Sequence, residues 1–234
     1  IMEQNTLRLL NLTNQLLDFR KTETKGFSLN FMTYNISEIL KETYNRFLPT
    51  AKQNYLEFNL QLPEKDFYAP VDKEALTKIL SNLFNNAVKY AQSNIIVQLD
   101  IQPEGNPNMF MITVSNDGTL IPKDMEEDIF KPFVQIKNTD NGQRTAGTGI
   151  GLPLARSLAE LHKGKLYLKN EDQICFCVEL PITQENVIQL SKHYIEDSPN
   201  IPDRHLATTP ENQNTILVID DDPEILSFVS KQLQ

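Results

Sequence analysis

At 234 residues, 40% apolar and 23% charged, the chain is long enough for one sizeable core with appendages. Its formal net charge of −9 disfavours nucleic acid or an anionic membrane surface as a partner of this segment, so a phosphate ligand would need local donors or a metal ion. No run approaches the roughly 18 to 20 apolar residues that span a bilayer, and no signal peptide opens the sequence.

The first segment, LRLLNLTNQLLDFRKTETKG, carries Leu9, Leu12, Leu16 and Phe19 at spacings of three, four and three, with Leu10 and Leu17 alongside. This heptad-like seam predicts a helix ending at Gly26, and its breadth points to a bundle element rather than a lone surface helix. The helix opens without a cap, so further helix is expected before Ile1. From Phe27 to Leu180 strands and helices alternate. The predicted strands are FSLNFMTYN, YLEFNLQL, NIIVQLDIQ, MFMITVSN, KLYLKN and ICFCVEL, several with period-two patterning. Helices are predicted over 37–52, 72–91 and 150–162. Short connections such as PEGNPN imply antiparallel pairing. The expected fold is an α+β two-layer sandwich, a mixed and mostly antiparallel sheet covered by helices, not a doubly wound dinucleotide fold. Alternation in ICFCVEL puts Ile174, Phe176, Val178 and Leu180 on one face and Cys175 and Cys177 on the other. Two thiols do not make a zinc site, and neighbours on one strand are poor disulfide partners, so both read as packing residues in a reducing compartment.

From Pro181 to Asn214 the sequence is polar and carries Pro199, Pro202 and Pro210, which reads as a linker with a short helix near 185–194. In TILVIDDDPEILSFVSKQLQ, an apolar strand ends in three aspartates and Pro223 opens a helix. Twenty residues of this kind cannot fold alone.

Four stretches carry candidate chemistry. On the helix DKEALTKILSNLFNNAVKYA, Asn82, Asn86 and Lys89 share one face at spacings of four and three, while Asn85 reads as surface. Polar groups on so apolar a helix need partners, and asparagine carbonyls suit magnesium as a lysine suits phosphate. VSNDGTLIP is a strand running into a turn at Asn116 to Gly118. DIFKPFVQIKN places Phe130 and Phe133 around Pro132, ahead of a long polar loop containing Lys137 and Arg144. Such a loop inside a compact domain reads as a lid. It ends in AGTGIGLPLAR, where Gly147, Gly149 and Gly151 sit two apart before a helix. Glycine permits positive φ and close approach, and a helix start offers free N–H groups to an anion. An ordinary flexible loop leading into a helix has the same composition.

In order and spacing, these four blocks resemble the N, first-glycine, F and second-glycine boxes of sensor histidine kinases. Those kinases share the ATP-binding fold of type II topoisomerases, mismatch-repair ATPases and a heat-shock chaperone family. The first helix resembles the second half of the kinase dimerisation and phosphotransfer hairpin, and ILVIDDDPEIL resembles the start of a response-regulator receiver. The resemblance implies a hybrid kinase, divided into a hairpin remnant over 1–26, a catalytic ATP-binding domain over 27–182, a linker over 183–214 and a receiver start over 215–234. It implies that Asn82 and Asn86 lie at the magnesium–triphosphate end, with Asn86 the first choice of metal ligand. Lys89 would reach a phosphate, and Tyr90 would pack near the adenine or ribose. Gly147, Gly149 and Gly151, with Thr148, Ile150 and Leu152, would wrap the phosphates. Phe130 and Phe133 would anchor the lid, and Arg144 would approach the terminal phosphate unless it is simply a solvated lid residue. Asp220 and Asp221 would be the acidic magnesium pair of the receiver, Asp222 a helix cap.

Two departures stand out. Gly118 sets the register of the first glycine box, so the aspartate that accepts the adenine amine in the family is Asn116 here, and the next family glycine is Leu120. Asparagine keeps an acceptor but loses the charge and adds a donor, weakening the bond by roughly 1 kcal/mol. Asp117 would face the other side of the strand. The histidines are His162, His193 and His205, none in a phosphoacceptor context, so the acceptor histidine is expected upstream of Ile1. The resemblance therefore implies transfer of the γ-phosphoryl of Mg-ATP to a histidine outside the chain, for relay to a receiver aspartate, in the cytoplasmic part of a sensor that dimerises through its hairpin. An ATP-hydrolysing clamp and a nucleotide-free interaction module on the same fold are the alternatives. Against the clamp, the N-box helix offers asparagines where a water-activating carboxylate is needed.

Overall fold

The computed structural model describes residues 2–24, 28–101, 107–135, 147–185 and 187. Helix α1 (Met2–Glu23) is followed by the short strand β1 (Met32–Asn35). The side chain of Asn35 accepts from the Glu38 amide and so starts α2 (Ile36–Gln53), satisfying one of the orphan donors of a first helical turn. After β2 (Glu57–Gln61) and β3 (Tyr68–Val71), Asp72 caps α3 (Lys73–Tyr90) in the same way, at the Ala75 amide. Strands β4 (Asn94–Ile101) and β5 (Met109–Asn116), helix α4 (Gly151–Leu161), and strands β6 (Lys165–Asn170) and β7 (Ile174–Pro181) follow.

Five strands form one sheet in the order β2-β4-β5-β7-β6, with β2 and β4 parallel and every other pair antiparallel. β1 and β3 form a separate antiparallel pair. This is the α+β sandwich with a mixed, mostly antiparallel sheet that the sequence pattern predicts. Strand β3 is an addition. YAPV is four residues long with Pro70 inside, and a proline that cannot donate to a ladder hides a strand from any period-two reading. β1 is also shorter than FSLNFMTYN suggests, starting only at Met32.

Alternation along β4 and β5 buries Ile95, Val97 and Leu99 with Phe110, Ile112 and Val114. They join Leu76, Ile79, Leu80, Leu83, Phe84 and Ala87 of α3 and Leu154, Ala155, Leu158 and Ala159 of α4 in one core. Each large side chain withdrawn from water there contributes about 1.5–3 kcal/mol. Phe84 is edge-on to both Phe47 and Phe58, fixing α3 against α2 and β2. At the end of α4, His162 is fully buried. Its Nε2 accepts from the Asp72 amide at 3.2 Å, and its Nδ1 faces the Leu158 carbonyl at 2.7 Å. α1 lies on this domain through Asp18, which pairs with Lys78 at 2.9 Å, while Leu9, Leu10, Leu16 and Leu17 are exposed. The expected stop at Gly26, the linker beyond residue 187 and the receiver-like stretch lie outside the described residues.

Candidate nucleotide site

A cleft of about 420 Å³ opens between α3, the end of β5 and the loop that enters α4. Two close approaches define its ends. A Cβ on Gly151 would stand 2.7 Å from the Asn82 side-chain oxygen, so the start of α4 lies against Asn82. A Cβ on Gly118 would collide with the Tyr90 carbonyl, so the turn after β5 lies against the other end of α3. Tyr90 lies eight positions along the helix from Asn82, about 12 Å at the α-helical rise.

At the Asn82 end the donors are backbone. α4 begins at Gly151 with no side-chain cap and no acidic residue in its first turn, unlike α2 and α3. Its free amides and dipole are therefore open to an anion. Gly149 has φ +69°, and its carbonyl accepts from the Phe133 amide at 2.8 Å. Gly147 and Thr148 line the cleft with it. The Gly147 carbonyl accepts from Gln135, and the Thr148 hydroxyl accepts from the Ile150 amide. Ile150 itself is buried, and Leu152 lines the cleft. Asn82 donates to the Lys78 carbonyl at 2.9 Å, leaving its oxygen toward Gly151, and Asn86 makes no side-chain hydrogen bond within the described residues. Asn85 is exposed. Lys89 also lines the cleft. Its ammonium sits 4.5 Å over the Tyr90 ring and donates to the Tyr90 hydroxyl at 2.7 Å.

The other end is apolar, with Leu120, Ile121, Ile129, Ile174 and Phe176 around one buried amide. Asn116 is 3% exposed, and its Oδ1 accepts from the Gly118 amide at 3.0 Å. Asn170 holds Ile121 in place by bonds to both its amide and its carbonyl. Asp117 bonds away from the cleft, accepting from the amides of Gln92, Ser93 and Asn94 and from the Ser93 hydroxyl. Burial pushes its carboxyl up, but those donors outweigh burial and hold it well below the usual carboxylate range.

The two phenylalanines behave differently. Phe130 is buried, edge-on to Phe176, with the Arg156 guanidinium 3.5 Å from its ring centre. Phe133 is 67% exposed, so its ring does not anchor the loop as expected; its backbone does, by turning to φ +67° and donating to Gly149. Two residues at the site carry no sequence signal. Arg156 ties α4 to Glu127 and to the Leu166 carbonyl. Gln15 of α1 lines the cleft and accepts from the Thr148 hydroxyl at 3.0 Å. Both act across long sequence separations that no local pattern encodes. Cys175 and Cys177 are free, their sulfurs 3.7 Å apart. Lys137, Arg144, His193, His205, Asp220 and Asp221 lie outside the described residues. Among the described residues no cluster of three His, Cys, Asp or Glu could hold a metal, and no helix is long and apolar enough to cross a membrane.

Residues 71–184 match the family of histidine kinase-, DNA gyrase B- and HSP90-like ATPases. Sensor histidine kinase TmoS of Ectopseudomonas mendocina is 26% identical over 98% of the chain and 25% of its own length. Sensor histidine kinase WalK of Bacillus subtilis is 28% identical over 71% of the chain and 27% of its own length. The catalytic domain of histidine kinase ThkA superposes with a TM-score of 0.57 at 26% identity, covering 67% of this chain and all of that one. Full-length ShkA in complex with AMPPNP has the same fold, with a TM-score of 0.65 at 23% identity over 74% of this chain and 36% of that one. Residues 71–184 are therefore similar to the ATPase domains of this family, and the curated relatives named here are sensor histidine kinases. It spans about a quarter of the length of those relatives.

Proposed function

We propose that this chain is the ATP-binding catalytic region of a hybrid sensor histidine kinase on the cytoplasmic side. It passes the γ-phosphoryl group of Mg-ATP to a histidine outside residues 1–234, for relay to a receiver aspartate. The observation that carries this reading is the uncapped start of α4 facing Asn82 across Gly151, a cradle with open backbone donors that any larger residue would fill. A triphosphate is the anion this cradle suits, with the amides of Gly149, Gly151 and the first turn of α4 as its donors. Asn86 and Asn82 are the side chains placed to hold magnesium, which when bound offsets the triphosphate charge. Lys89 is within the cleft and reaches a phosphate once it leaves the Tyr90 hydroxyl. The residues of α3 facing the cleft are asparagines, lysine and tyrosine, without a carboxylate to activate water, which favours phosphoryl transfer over a hydrolytic clamp. The hairpin that α1 belongs to would supply the dimer and the acceptor histidine, and Asp220 and Asp221 the receiver's magnesium pair.

The test is titration with a fluorescent ATP analogue, with and without magnesium. Binding that tightens at least about tenfold with magnesium is expected in the native chain, and Asn86→Ala should abolish that dependence. Absence of any nucleotide binding would leave the fold as an interaction module and overturn the kinase reading.

A further inference from the structure

Asn116 is the most buried polar side chain of the cleft, and half of its amide is unused. The Gly118 amide is a donor, which fixes which terminal atom faces it as Oδ1. Nδ2 then has no hydrogen-bond partner among the described residues, and in a residue only 3% exposed it is not sealed in but keeps access to the cleft. A donor that an otherwise buried residue leaves open to a cleft is free to meet a ligand acceptor. With the phosphates at the α4 end, the planar base of a nucleotide belongs at the apolar end, where Ile121 and Ile174 line the cleft with Asn116.

We infer that this site accepts a purine nucleotide bearing a ring carbonyl, of the hypoxanthine or guanine type, at least as well as an adenine nucleotide. The inference rests on the nucleotide reading above. A carbonyl oxygen has two lone pairs, so Oδ1 keeps one for an exocyclic amine after accepting from Gly118. Nδ2 offers hydrogens to a carbonyl in the same place. A carboxylate at this position would present acceptors only and would repel a base carbonyl, so its selectivity for an amine rests on a group this chain lacks. Asn116 meets either edge and discriminates against neither.

The experiment is calorimetric titration of the full chain with Mg-ATP and Mg-ITP, on the native protein and on Asn116→Asp. The native protein is expected to bind ITP with a Kd equal to or below that for ATP. In the variant, the ratio should swing at least about tenfold toward ATP. A native preference for ATP of tenfold or more overturns the inference, and that ratio decides even if a buried new carboxylate prevents the variant from folding. A ratio unchanged in a folded variant also overturns it. If neither nucleotide binds either protein, the nucleotide site itself is refuted, an outcome distinct from a native protein that binds ATP alone.

Discussion

Gly149 is held in the left-handed region at φ +69°, and a Cβ there would come within 2.8 Å of the Phe133 backbone. Both constraints act on the same residue, because the positive φ aims its carbonyl at the Phe133 amide and brings the two segments together. Gly149→Ala should therefore cost about 1–2 kcal/mol for the backbone conformation alone, read as a lower urea midpoint. It should also weaken nucleotide binding by displacing the entry to α4. An unchanged midpoint would mean that the close approach does not hold in solution. Phe133 teaches the complementary lesson. An aromatic pair around a proline suggests two buried anchors, yet only Phe130 has a ring to pack on and a guanidinium above it. Neither Phe176 nor Arg156 is near it in sequence, so composition alone could not tell the two phenylalanines apart.

Helix α4 ends on a titratable group. Burial pushes the His162 imidazole down from its usual value, and the Leu158 carbonyl and Asp72 only partly oppose this. The Asp72 amide donates to Nε2, so the proton resides on Nδ1 and the neutral ring is the form that fits. In the unfolded chain the ring titrates near pH 6.5. Between that value and the lower folded one, the unfolded state binds more protons, so stability is present above about pH 6.5 and is lost as pH falls through the folded pKa. A urea midpoint that is flat above neutrality and declines below about pH 6.5 is expected. His162→Asn should be less stable throughout but show a shallower decline, and an identical decline would assign it to other groups. At this scale the sequence is a good guide where one element carries its own pattern. The apolar repeat of α3 places Asn82, Asn86 and Lys89 on the cleft side. It fails where pairing is supplied from elsewhere: β3 exists because β1 lies beside it, with Thr33 opposite Pro70. The cap at Asp117 likewise depends on amides more than twenty residues earlier.

For the whole chain, the proposed chemistry separates binding from transfer. His162, the histidine within the described domain, is fully buried with both ring nitrogens engaged. Labelled Mg-ATP should therefore leave no acid-labile phosphate on the chain alone, and label should appear when a polypeptide carrying the upstream hairpin helix is added. Acid-labile phosphate on His193 or His205 would move the acceptor into the linker and require a different relay.

α1 reaches the cradle where Gln15 meets the Thr148 hydroxyl, and it is braced about one turn away by Asp18 on Lys78. If the cradle takes the nucleotide as proposed, that contact puts helix position and ligand occupancy in a single thermodynamic cycle. Whatever factor a shift of α1 imposes on nucleotide affinity, bound nucleotide must impose on the shift. On the proposed nucleotide reading, a displacement of α1 and the filling of the cradle would meet at the same hydroxyl, each setting the threshold at which the other acts.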